Sequence, residues 1–156
     1  RAMIARTLAL AAVALLTTSG AALAAAGGCH TYSGDFTAVA PPTCAGIICT
    51  HGTLTGGFPS TYDFTATQVD FGTGAYSGHS TITTTEGALI FGSDSGALVP
   101  NGDGTANFVT TVQIVGGTRQ YAHATGEFVA PGVLDLVTGD TVGTYSATIC
   151  LGVGAQ

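Results

Sequence analysis

The 156-residue chain has no lysine and no tryptophan, a single methionine, and charged side chains at only 8% of its positions. Three arginines stand against nine carboxylates, for a net charge of -6. That scarcity of cations excludes a nucleic-acid partner, because binding a phosphate backbone requires Lys and Arg in number. It also opposes docking on anionic membranes. No window after Gly28 carries an apolar period near 3.6, so helices are not expected. The 24 glycines lack the three-residue period of collagen, and β-branched and apolar residues are too plentiful for a disordered chain.

The one long apolar run, 8–16, lies near the N-terminus. It follows Arg1 and Arg6 and gives way to Ala22-Leu23-Ala24-Ala25-Ala26. A basic start, a short apolar stretch and an A-x-A site describe a secretory signal peptide over 1–26. The run is shorter than the ~20 residues a membrane-spanning helix needs. The expected product is a secreted domain, extracellular or periplasmic, without stable membrane insertion. Its only strong cation is Arg119.

Cys29, Cys44, Cys49 and Cys150 all follow the signal segment. An even number of cysteines in an exported chain reads as disulfides, and four allow three connectivities. Cys29–Cys44 with Cys49–Cys150 is the favoured pair, since the second bridge would tie the start of the domain to its last strand. There is no C-x-x-C or H-x-H spacing, so no metal site is expected, and no cofactor.

Short runs rich in Thr, Val, Phe and Tyr alternate with glycine-centred turns. Strands are predicted over 49–55, 61–69, 79–85, 88–95, 106–115, 125–129, 133–137 and 142–151. Tyr62, Phe64 and Ala66 share one face of their run, and Phe108, Thr110, Val112 and Ile114 share one face of theirs. Glu86-Gly87, Asn101-Gly102-Asp103-Gly104 and Thr138-Gly139-Asp140 are hairpin turns by composition. Sequential hairpins point to an all-β, eight-stranded antiparallel up-and-down barrel, whose closure removes exposed edges. Residues 27–48, with Pro41-Pro42, read as a loop-rich lead-in, and 49–156 as the barrel domain.

Few residues advertise chemistry. The run from Asn101 to Thr105 lacks the ligand pattern of a calcium loop and reads as a turn. His30, His51, His79 and His123 have no ligand spacing, and no G-x-S-x-G elbow is present. Asp94 and Glu127 would form a carboxylate pair if both faced one cavity.

The stretch Ile114-Val115-Gly116-Gly117-Thr118-Arg119-Gln120-Tyr121-Ala122-His123-Ala124-Thr125-Gly126 is the most distinctive. It resembles the I-x-G-G-T-G-x-[FY]-x-x-A-x-G segment of the allene oxide cyclase-like and dirigent-like barrels. Gly116, Gly117, Thr118, Tyr121, Ala124 and Gly126 match that pattern. Arg119 replaces a glycine, and His123 stands where bacterial members often carry one. Read physically, the motif is first structural: glycines permit a tight reversal, and Tyr121 plugs a barrel end. If position 119 requires positive φ, arginine there costs roughly 1 kcal/mol. The resemblance implies an eight-stranded barrel able to hold an apolar small molecule. Plant members guide cyclisation or radical coupling and are commonly trimers, so a homo-oligomer is a further expectation. Their catalytic residues have no counterparts here.

The leading expectation is therefore a secreted, disulfide-stabilised barrel binding a small apolar molecule, with a cyclase- or isomerase-like activity as its catalytic extension. The ligand-lining candidates are Phe64, Phe91, Phe108, Tyr121 and Phe128, with Asp94 and Glu127 as polar handles. The alternative is a non-catalytic extracellular structural or adhesive module. An outer-membrane barrel fits less well, because no tryptophan is available for an aromatic girdle. A cavity of roughly 300 Å³ or more containing a carboxylate would favour ligand binding.

Overall fold

The computed structural model describes residues 28–152, so the signal peptide expected over 1–26 lies outside the described residues. Eight strands follow one another: β1 (Cys29–Val39), β2 (Ile48–Leu54), β3 (Ser60–Val69), β4 (Ala75–Thr84), β5 (Leu89–Pro100), β6 (Thr105–Gly117), β7 (Thr125–Asp135) and β8 (Thr141–Cys150). A single 3-10 turn, Arg119–Tyr121, precedes β7. Each strand pairs antiparallel with the next, and β8 returns to β1, closing the barrel in chain order. The expected all-β, up-and-down, eight-stranded architecture is the one observed.

Two strand assignments differ from expectation. The predicted lead-in contains the first barrel strand: β1 pairs with β8 from Cys29↔Cys150 to Ala38↔Thr141 and turns Phe36 and Ala38 into the core. The runs 125–129 and 133–137 are not two strands, but parts of one, β7. Pro131 lies between them. It pairs opposite Val109 on β6, while the ladder to β8 lapses between Val129↔Ser146 and Gly132↔Gly143. Proline has no N–H to donate, so one ladder is interrupted while the register holds on both sides.

The disulfides also differ from the favoured pairing. Cys29 joins Cys150, and Cys44 joins Cys49. Because β1 begins at Cys29, that residue faces the last strand, and Cys49, the second residue of β2, lies at the opposite end of the barrel. The Cys29–Cys150 bridge spans 121 residues, which in the chain-entropy model contributes about 5 kcal/mol. The Cys44–Cys49 bridge spans five and contributes about 2 kcal/mol.

Aromatic side chains fill the barrel by lying across inward-facing glycines on neighbouring strands. Gly34 is opposite Tyr145, Gly52 opposite Tyr62, Gly96 opposite Tyr76, and Gly143 opposite Phe36. In each case, a Cβ on the glycine would collide with that ring. Together with the close approach of a backbone oxygen at each position, this accounts for glycines within strands, where they would otherwise weaken the ladder.

The two ends of the barrel are unlike. At one end, Phe58 is buried against Tyr32, Tyr121 and Phe128, with ring centroids 5.0, 6.4 and 6.1 Å away. Tyr145 Oη fixes the loop carrying Phe58, accepting from Phe58 N at 2.9 Å and donating to Thr55 O at 2.8 Å. The distinctive 114–126 segment folds at this closed end. Thr118 clamps the start of β5, with its Oγ1 accepting from Leu89 N and its own N donating to Leu89 O, both at 2.9 Å. Arg119 adopts φ 54°, the positive value that glycine would take more readily, and its guanidinium donates to Glu86 O. The other end, formed by the β1–β2, β3–β4, β5–β6 and β7–β8 connections, is an open mouth.

Candidate functional site

Between the aromatic plug and the mouth lies an internal cavity of about 100 Å³, bordered almost wholly by apolar and aromatic side chains. Phe36 packs against Tyr62 and Phe108, with ring centroids 6.3 and 6.2 Å away, and Phe64 meets Tyr76 edge-on at 5.9 Å. The polar residues on its wall are Thr50, Ser80, Asp94, Thr110 and Thr141, together with the tyrosine hydroxyls. The cavity meets a wider space of about 600 Å³ in the mouth, and Ile48, Thr50, Leu98 and Leu134 border both.

Asp94 is the one buried carboxylate among the described residues, only 3% exposed. Its strand alternates strictly, with Ile90, Gly92 and Asp94 buried and the intervening residues exposed, so regular β geometry delivers the carboxylate to the interior. Ser80 on β4 donates to Asp94 Oδ2, while Oδ1 has no protein partner. Burial raises the Asp94 pKa to about 6, despite the opposing effects of the Ser80 hydrogen bond and nearby His79. Burial also pushes the Tyr62 hydroxyl up to about 12, opposed by a Thr50 hydrogen bond and reinforced by Asp94. Tyr76 is raised for the same primary reason, and its hydroxyl shares a 2.5 Å hydrogen bond with Thr110 Oγ1. A carboxyl titrating near neutrality in an apolar chamber can accept or give up a proton there.

Of the ligand-lining candidates, Phe64, Phe108, Phe128 and Asp94 border the cavity. Three other candidates do not. Phe91 lies on the outer wall, 38% exposed. Glu127 also faces outward, accepting from Gln113 Nε2 at 2.7 Å, so it forms no carboxylate pair with Asp94. Tyr121 belongs to the closed-end plug, against Phe58. At about 100 Å³ the cavity falls short of the roughly 300 Å³ expected to favour ligand binding, because four rings crossing over glycines occupy the interior.

Thr50, Tyr76, Ser80, Thr110 and Thr141 complete the polar wall, and none of them is among the ligand-lining candidates. Ser80 and Ile82 share the parity of Tyr76, which would have extended β4 backward to include it. On the outside, His51 Nδ1 lies 2.7 Å from Asp63 Oδ1, both exposed. Among the described residues, no three His, Cys, Asp or Glu side chains converge on a common point.

Fold and site together define a closed, antiparallel, up-and-down β-barrel with an apolar chamber and one buried carboxylate. No protein-family model matches the sequence, and no curated protein does. Among solved structures, a pterocarpan synthase dirigent protein is similar to this chain, with a TM-score of 0.33 and 12% identity. That match covers 83% of this chain and 88% of the other. The barrel assignment itself rests on the strand order and pairing described above.

Proposed function

We propose that this protein is an exported bacterial member of the allene oxide cyclase-like and dirigent-like barrels that takes a small apolar ligand through its open mouth into the central chamber. The observation that carries this reading is the chamber itself: an apolar, aromatic-walled space of about 100 Å³ with a buried carboxylate on its wall. Apolar cavities of this order, about 150 Å³ in a well-studied case, accept a single aromatic ring. The two disulfides suit an oxidising compartment, which supports export. Thr31, Ser33, Asp63, Glu127 and Thr148 on the outer wall support a barrel surrounded by water, since a membrane barrel turns an apolar band outward. A cyclase- or isomerase-type step would use Asp94 as its proton-transfer group.

The test is a thermal-shift screen of neutral, one-ring apolar compounds. Binding should raise Tm in the native protein, and Ala130→Leu, which narrows the chamber, should abolish the shift. An unchanged Tm across the panel would reject ligand binding. It would leave the second reading, a structural or adhesive module. That reading is favoured by Val99, Val109, Val133 and Val142, which stand exposed along β5 to β8, with Val133 directly opposite Val142.

A further inference from the structure

We propose that the chamber selects a small apolar monoamine, its protonated nitrogen paired with Asp94 Oδ1 and its body lying against Tyr62, Phe64, Tyr76 and Phe108. This rests on the reading of the interior as a ligand site, and it specifies the chemistry of the ligand.

The first argument is charge. An ionised carboxylate held in apolar surroundings is costly unless it is paired. Ser80 satisfies one oxygen of Asp94, and the other is unpartnered. Among the described residues, the chain brings no lysine or arginine to Asp94. It has no lysine, and the single arginine among the described residues, Arg119, is committed to Glu86 O at the closed end. A ligand carrying a cation supplies what the fold lacks.

The surroundings of Asp94 point the same way. Its titratable neighbours are Tyr62 on β3 and Tyr76 on β4, together with His79, an exposed residue of β4 opposite Ser93. From β6, the cavity wall receives Thr110 and Val112, neither of which is charged. Both tyrosines hold their protons near neutral pH, so neither competes as an anion. Tyrosine and phenylalanine faces attract ammonium groups, which adds to the pairing. With its pKa at about 6, Asp94 is largely ionised at pH 7.5, where a primary amine is protonated.

The mouth reinforces the selection. Asp70, Asp103, Asp135 and Asp140 lie at or beside the turns around it, and no basic side chain lies among them. A one-sided field of this kind draws cations inward and repels apolar anions such as fatty acids. The chamber volume limits the buried body to about one ring or a short alkyl chain.

Isothermal titration of the full chain with 2-phenylethylamine, 2-phenylethanol and 3-phenylpropionate separates the possibilities. At pH 7.5 the amine should bind about tenfold or more tighter than the alcohol, and the carboxylate should not bind. Lowering the pH to 5 protonates Asp94 and should weaken amine binding about tenfold, with little effect on the alcohol. Asp94→Asn should erase the preference for the amine while retaining the alcohol. If the alcohol binds as well as the amine, or if amine binding is insensitive to both pH and Asp94→Asn, the amine proposal is overturned and the apolar-ligand reading survives. If none of the three probes binds the native protein, both are rejected.

Discussion

Gly96 stands directly opposite Tyr76 across the β4–β5 pair, and the tyrosine ring occupies the space a side chain at position 96 would need. A Cβ there would lie 2.5 Å from Tyr76 Cζ and 2.6 Å from Val109 O. Gly96→Ala is therefore expected to cost about 1–3 kcal/mol, as overpacking does. Urea denaturation should show a lower midpoint with an unchanged slope. In a Tyr76→Ala background the ring contact is gone while the Val109 O contact remains, so the same change should cost less but still destabilise, a coupling that a double-mutant cycle would measure.

Asp94 sets a characteristic pH dependence. Its folded pKa, about 6, lies above the ordinary value of 3.8, so the folded state holds the proton more tightly than the unfolded state does. The stabilisation this brings is complete below pH 4 and is lost as pH rises through 6. Asp70, Asp103 and Asp135 have the opposite sign: backbone and side-chain hydrogen bonds in their turns lower their pKa values, so their contribution is lost on acidification. Comparing the native protein with Asp94→Asn cancels those turn residues. The variant should be more stable by about 3 kcal/mol at pH 8 and equal at pH 3.5. Equal melting curves at both values would show that Asp94 is not a strained carboxylate.

Arg119 permits a contrast between backbone strain and side-chain bonding. At φ 54°, any side chain with a Cβ is disfavoured, and the arginine recovers part of that cost by bonding to Glu86 O. Arg119→Gly should be neutral or stabilising by up to about 1 kcal/mol. Arg119→Ala keeps the strained backbone and loses the bond, so it should be destabilising by about 1 kcal/mol. Calorimetric Tm values for the pair would distinguish the two effects.

The period of alternation makes the barrel legible, and the same rule applied strand by strand separates inner residues from outer ones. Glu127 and Phe128 are consecutive, and Phe91 lies an odd number of positions from Asp94, so a regular strand cannot turn both members of either pair inward. The structure takes Phe128 and Asp94 inside. β1 was hidden because its alternation is carried by small and polar residues, Ser33, Gly34 and Thr37, with only Phe36 and Ala38 fully buried. Losing β1 also misassigned the disulfides, since the residue facing Cys150 depends on where the first strand begins. The chamber was beyond reach because its volume depends on which rings cross which glycines, a matter of three-dimensional packing.

The two disulfides should differ in their effect on stability. Replacing Cys29 and Cys150 with serine should lower unfolding free energy by about 5 kcal/mol, and replacing Cys44 and Cys49 by about 2 kcal/mol. Chemical denaturation of the two double variants measures the difference. Peptide mapping under non-reducing conditions should recover Cys29 linked to Cys150. Recovery of Cys49 linked to Cys150 would overturn the observed topology at the seam.

Arg119, the one arginine among the described residues, also governs how the domain meets proteases. A trypsin-like enzyme cuts after Lys or Arg, and between residues 28 and 152 it finds one target, the Arg119–Gln120 bond. That bond opens a 3-10 turn whose amides are already engaged: Tyr121 N donates to Thr118 O and Ala122 N to Arg119 O. A protease needs an extended segment, and this one is tightly curled between two barrel strands. Digestion by such enzymes would therefore proceed only through unfolded molecules, and its rate would report the population of open barrels.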